Sequence, residues 1–187
     1  MSKLNEIIEY NKEFVEDKKY ESFKSTKYPD KKMVILSCMD TRLVELLPKA
    51  LNLKNGDAKI IKNAGAVIAH PFGSIMISIL VAIYELGAEE VFVIGHHGCG
   101  MSNVDTNKTI HNMVKRGVKE DTLATLEGSG IDLKKWLHGF DCVYESVRES
   151  VKVIKNHPLM PKDVAIHGLI IDPETGKLEV VVEGYEK

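Results

Sequence analysis

Two short segments carry residue types suited to metal chemistry. They are Cys38-Met39-Asp40-Thr41-Arg42 and His96-His97-Gly98-Cys99-Gly100. Thiolate sulfur and imidazole nitrogen are ligands of a borderline-soft ion such as zinc. His96 and Cys99, three apart, can chelate one ion from a single short loop. Cys38 would complete a set of three and leave the fourth tetrahedral position open, which marks a catalytic rather than a structural site. About 0.1 accidental His-x-x-Cys pairs are expected in a chain with seven His and three Cys. The pair alone is therefore weak, and its weight comes from the matching Cys38 segment. Asp40 and Arg42 are two apart and share one side of an extended loop. A guanidinium there can hold the carboxylate bidentately and keep it ionised. Such an aspartate can accept a hydrogen bond from a water or hydroxide on the metal, or swing in as a fourth ligand and shut the site.

The elements around these segments explain how they could meet. Met33–Ser37 is a short continuous apolar run, the pattern of a buried parallel strand. Glu90–Ile94 is another. Each is followed at once by one of the two cysteine segments. In open parallel sheets, sites form at the carboxyl ends of strands where the strand order reverses. If these two strands are neighbours there, Cys38, His96 and Cys99 converge. Lys59–Ile61 reads as a further strand. Leu43–Leu51, Gly73–Leu86 (ended by Gly87) and Asp141–Lys155 read as helices. Val164–Ile171 and Leu178–Val182 flank the turn residues Asp172–Gly176 and predict a hairpin. The stretch from Asn103 to Gly139 is polar and predicts short helices. Alternation of strands and helices gives a three-layer α/β fold with a mainly parallel central sheet and an antiparallel edge strand.

Leu4, Ile7, Ile8, Phe14, Val15 and Phe23 recur at helical spacing, so the first 25 residues predict an amphipathic helix outside the core that packs on a partner surface. The 187 residues suit a single domain, 1–187. A net charge of -2, with no block of like charge, excludes a nucleic-acid or anionic-membrane role. The longest apolar stretch, Ile75–Leu86, is too short to span a bilayer. Three cysteines are too few for a disulfide framework, and the N-terminus lacks a signal-peptide run, so the expected location is the cytoplasm.

Cys-x-Asp-x-Arg after a first strand, Asn63-Ala64-Gly65, and His-x-x-Cys-Gly after a third strand together resemble the β-class carbonic anhydrase family. The strong motifs run from Met33 to Gly100. The resemblance implies that Cys38, His96 and Cys99 bind one Zn2+ per chain, that Asp40 and Arg42 form the catalytic dyad, and that Asn63–Gly65 line the site. It implies a carbonate dehydratase, a zinc lyase interconverting carbon dioxide and bicarbonate, in which zinc lowers the pKa of a bound water toward roughly 7 and supplies hydroxide. The family is usually built from dimers that exchange N-terminal helices, so a homodimer is expected, with a tetramer as the alternative. The apolar substrate needs an apolar pocket, for which Val67, Ile68 and Phe72 are candidates.

The chain departs from some family members. Ile35 stands where those with a regulatory bicarbonate site have Trp, and Lys62 precedes Asn63 where many have Arg. Related folds hydrolyse carbon disulfide or carbonyl sulfide with the same ligands. A cysteine phosphatase is disfavoured, because no Arg follows Cys99 at phosphate-loop spacing and Arg42 follows Cys38 too closely to close such a loop. A purely structural zinc site would need Asp40 as fourth ligand, and Arg42 pulls against that. His97 reads as a neighbour rather than a ligand, Cys142 as a thiol packed in the core, and the stripe of Ile75, Met76, Ile79, Leu80 and Ile83 as core packing.

Overall fold

A computed structural model describes residues 1–185. Its centre is a five-stranded sheet in the order β2-β1-β3-β4-β5. The strands are β1 (Met33–Cys38), β2 (Ala58–Asn63), β3 (Glu90–His96), β4 (Ala165–Ile171) and β5 (Leu178–Val182). β1 pairs in parallel with both β2 and β3, β3 pairs in parallel with β4, and β5 closes the edge antiparallel to β4. The chain passes from β1 to β2 on one side and then returns to β3 on the other. The order thus reverses between β1 and β3, where the two cysteine segments emerge.

Alternation along the buried strands sends side chains to two cores, one on each face. Val34, Leu36, Val91, Val93, Ile166 and Ile170 form one core with Met76 and Ile79 of α3 (Ser74–Tyr84) and Val147, Val151 and Ile154 of α7 (Val143–Lys155). Ile35, Ile94 and Ile171 form the other with Leu43 and Leu47 of α2 (Leu43–Ala50). This is the expected three-layer arrangement. α7 lies close on β3 and β4 because Gly95 and Gly168 leave it room: a Cβ on either would press within 3.0 Å of Val143 or Val147 methyl groups.

The polar segment after β3 holds three short helices, α4 (Thr106–Lys115), α5 (Glu120–Gly128) and α6 (Leu133–Leu137). Asp105 and Asp132 cap α4 and α6 by accepting from Lys108 N and Lys135 N. No helix among the described residues is long and apolar enough to cross a membrane.

The N-terminus differs from expectation in extent. α1 spans Lys3–Glu16, and the chain then turns through Lys18 in a left-handed conformation into a short 3-10 turn at Lys19–Phe23. The charged run Asp17-Lys18-Lys19 offers no apolar residue to continue the stripe. α1 buries none of its residues, and Leu4, Ile7, Ile8 and Val15 all stand in the open. Cys142 also departs from expectation: it is exposed at the N-cap of α7 rather than packed in the core.

Candidate metal centre

Parallel pairing fixes the site's geometry. Cys38 ends β1, and His96 ends the neighbouring β3 as part of the strand itself rather than of the following loop. The turn at Gly98, with φ of 62°, carries the chain back to Cys99. The potential ligand atoms of Cys38, His96 and Cys99 all lie within 4.8 Å of one another, and the three residues are buried. No other group of three such residues is so placed among the described residues.

The donor set fits zinc on two observations. The Cys38 and Cys99 sulfurs are 3.8 Å apart and not bonded to each other. Two thiolates on a tetrahedral ion, each at about 2.3 Å, would be roughly 3.8 Å apart. His96 Nε2 is buried and makes no hydrogen bond, an expensive state for a polar atom unless a ligand takes its lone pair. The other ring nitrogen, Nδ1, lies 2.9 Å from the carbonyl of His97, to which it can only donate. That contact fixes the tautomer with Nε2 unprotonated, the outer support typical of metal-binding histidine.

Electrostatics separates the two thiols. Burial pushes Cys38 up, but the adjoining His96 ring and the Gly65 N–H outweigh it, bringing the thiol down to about 7. Burial and the neighbouring Cys38 raise Cys99 to about 11. The Cys38 side chain raises His96 above its ordinary value. A cation held by both sulfurs would supply the charge that a Cys99 thiolate needs, since metal binding is coupled to loss of the thiol proton.

Asp40 and Arg42 pair as their spacing predicts. Arg42 Nε donates to Asp40 Oδ1 at 2.9 Å and Nη2 to Oδ2 at 2.8 Å, while the Arg42 backbone N–H also donates to Oδ1 at 2.9 Å. These bonds hold the Asp40 carboxyl well below the usual carboxylate range. Asp40 Oδ2 stands 3.7 Å from His96 Nε2, so the carboxylate sits beside the cluster while engaged by arginine. Arg42 Nη2 also reaches Gly98 O at 3.4 Å, tying the two cysteine segments together.

The Asn63-Ala64-Gly65 segment is equally specific. Gly65 N–H donates to Cys38 Sγ at 3.3 Å. This requires a turn in which Gly65 has φ of 81° and Ala66 has φ of 56°. A left-handed alanine is disfavoured, and side-chain bonds hold it in place. Asn63 Nδ2 donates to Val67 O at 2.7 Å, and Ser150 Oγ on α7 accepts from Ile68 N at 3.4 Å. Lys62 Nζ lies 3.4 Å from the carbonyls of Cys38 and Leu43, beneath the first cysteine segment.

Of the three apolar candidates, Val67 alone packs with the cluster that contains Cys38 and Cys99. Ile68 belongs to the core on the opposite face. Phe72 is exposed and packs against His157 with ring centroids 4.9 Å apart and the planes tilted by 55°. Sequence reasoning missed Met101 and Phe140, which join Val67 beside the cysteines. Only the chain's return after the insert brings Phe140 there. His97, expected to be a neighbour, faces outward to Glu179 at 3.5 Å.

Comparison with known proteins agrees with this geometry. A family model described as carbonic anhydrase matches residues 33–178. A Bacillus subtilis (strain 168) protein, YvdA, named provisionally as a carbonic anhydrase, is 60% identical over 186 residues, covering 100% of this chain and 94% of its own. The crystal structure of β-carbonic anhydrase isoform I from Trichomonas vaginalis is similar with a TM-score of 0.90 and 38% identity, covering 99% of this chain and 100% of that one. A carbon disulfide hydrolase of Acidithiobacillus thiooxidans is 30% identical over 159 residues, 80% of this chain and 76% of its own.

Proposed function

This chain belongs to the β-class carbonic anhydrase family, and on that premise we propose that it interconverts carbon dioxide and bicarbonate, with one zinc ion per chain held by Cys38, His96 and Cys99. The observation that carries this reading is the convergence of two sulfurs 3.8 Å apart and a buried, unpartnered His96 Nε2 at the sheet's reversal point. When bound there, zinc supplies a water of lowered pKa and thus a nucleophile near neutral pH.

The chain's own residues do the rest. Gly65 N–H and the His97 carbonyl orient Cys38 and His96. Arg42 keeps Asp40 ionised, and both Asp40 oxygens remain turned to the guanidinium. That engagement supports Asp40 as a hydrogen-bond acceptor for a metal-bound water rather than as a fourth ligand. Val67, Met101 and Phe140 keep one side of the site apolar, which suits an uncharged linear substrate. Three unbridged thiols suit the cytoplasm.

A homodimer built through α1 is part of the same reading. The helix exposes its apolar stripe, and a groove lies open beside the edge strand β2, with Phe23, Val44, Pro48, Leu53 and Ile60 on its walls and Glu45, Lys49 and Lys54 among them. A second reading, hydrolysis of carbon disulfide or carbonyl sulfide, draws on the Acidithiobacillus relative. The higher identity of the relative named as a carbonic anhydrase favours carbon dioxide.

Elemental analysis combined with stopped-flow hydration between pH 6.5 and 9 tests the proposal. One zinc per chain and hydration lost in Cys38→Ser are expected. Bound zinc without hydration at any pH would shift the function to the sulfur-containing substrates.

A further inference from the structure

The polar insert is held to the site by its base. It departs after Met101 and returns at Gly139-Phe140, where Phe140 N–H donates to Met101 O at 3.1 Å. A Cβ on Gly139 would collide with Met101 O, so only glycine lets the two ends close. The outer part of the excursion is surface: α4 and α5 contain no buried residue. Its end is not. Phe140 is 9% exposed and belongs to the cluster of Cys38 and Cys99, with Met101 packed against it. A Cβ on Gly65 would meet Phe140 Cε1 at 3.0 Å and Met101 Cβ at 3.1 Å. Gly65 is the residue whose N–H touches Cys38 Sγ. The phenyl edge and the methionine stem thus stand one glycine's thickness from a ligand sulfur. A packed interior admits no larger group without displacing something.

We propose that Phe140, delivered by the clamped insert, is a specificity-determining residue whose ring occupies the space a sulfur atom would need, so that the site favours carbon dioxide over its longer sulfur analogues. The inference rests on the hydration reading above. Truncating the ring opens room on the apolar side of the cluster and leaves the donor set unchanged. Met101 and Val67 complete the wall, and Gly139 holds it in place.

The test uses the full zinc-loaded chain and three variants, Phe140→Ala, Phe140→Leu and Gly139→Ala. Hydration of carbon dioxide is compared with hydrolysis of carbonyl sulfide, in which water adds and carbon dioxide and hydrogen sulfide leave. In Phe140→Ala, the ratio of kcat/KM for carbonyl sulfide to that for carbon dioxide should rise roughly tenfold or more, the usual scale for a small change of pocket volume. Phe140→Leu should fall between, and Gly139→Ala, which forces the clamp apart, should move the ratio the same way. Zinc content should remain one per chain. A separate readout is thiocyanate, a linear sulfur-containing anion, titrated into the cobalt-substituted protein by its visible spectrum. Its affinity should rise severalfold in Phe140→Ala.

An unchanged ratio and unchanged thiocyanate affinity, with both rates falling alongside Tm, would reduce Phe140 to packing. Should Phe140→Ala fail to fold, Phe140→Leu and Gly139→Ala decide by the same ratio. A zinc-loaded parent protein inert toward both substrates would instead overturn the hydration reading, and thiocyanate affinity would still decide the wall.

Discussion

Asp40 illustrates how little a contact's energy says about its use. Arg42 is 45% exposed, so solvent screens the pair and it adds little to stability. Its value lies in fixing the position and charge of one carboxylate. The shift is downward, so Asp40 is ionised through the whole range from pH 5 to 9. Any limb in the pH–rate profile within that range belongs to another group. Asp40→Asn should therefore lower the plateau of kcat/KM by roughly a hundredfold or more while leaving the limb where it was. A limb that disappears in Asp40→Asn would assign it to Asp40 and contradict the geometry. The grouping of Cys38, His96 and Cys99 and the pairing of Asp40 with Arg42 were legible in the sequence, because residue type, short spacing and position after a buried strand suffice to suggest them. Gly65 was placed at the site only through the family resemblance, and Met101 and Phe140 were not legible there at all, because their contacts are long-range and a hydrophobic residue carries no mark of the face it joins.

At the level of elements, patterning located the strands and helices well and their ends less well. Continuous apolar runs marked β1 and β3, since a strand buried on both faces has no polar side. The helix expected over the first 25 residues stops at Glu16, where charge interrupts its stripe. The β4–β5 hairpin was written in its turn chemistry. Asp172 Oδ1 accepts from Glu174 N at 2.8 Å and Thr175 N at 2.9 Å. These two backbone bonds depress its pKa, that of Thr175 first. A depressed acid contributes stability that is fully present above its unfolded value near 3.9 and is lost as pH falls through the folded value. Asp172→Ala should therefore lower Tm at pH 7, and the gap from the parent protein should close as pH falls below about 4. A gap independent of pH, measured by thermal scans at several pH values, would show that the carboxylate charge is not what holds the turn.

At the scale of the whole molecule, α1 is the element that the chain's own fold leaves unused. Four large apolar side chains, Leu4, Ile7, Ile8 and Val15, stay exposed on it, a surface that a soluble chain seldom leaves uncovered. The full chain should run in light scattering at about twice its 20.9 kDa, and removal of residues 1–24 should leave a monomer. A truncated chain that stays dimeric would move the interface elsewhere. The sequence by itself determined the candidate ligand types, the Asp40–Arg42 pair, the strand pattern and the hairpin, because each is set by local chemistry or by a period of a few residues. The tertiary structure alone decided that β1 and β3 are neighbours, that Phe72 turns away from the site, and that an insert more than thirty residues long ends by laying Phe140 beside the cysteines. Those outcomes depend on which strand pairs with which and on how much room each face leaves, and both are properties of the packed chain rather than of any segment in it.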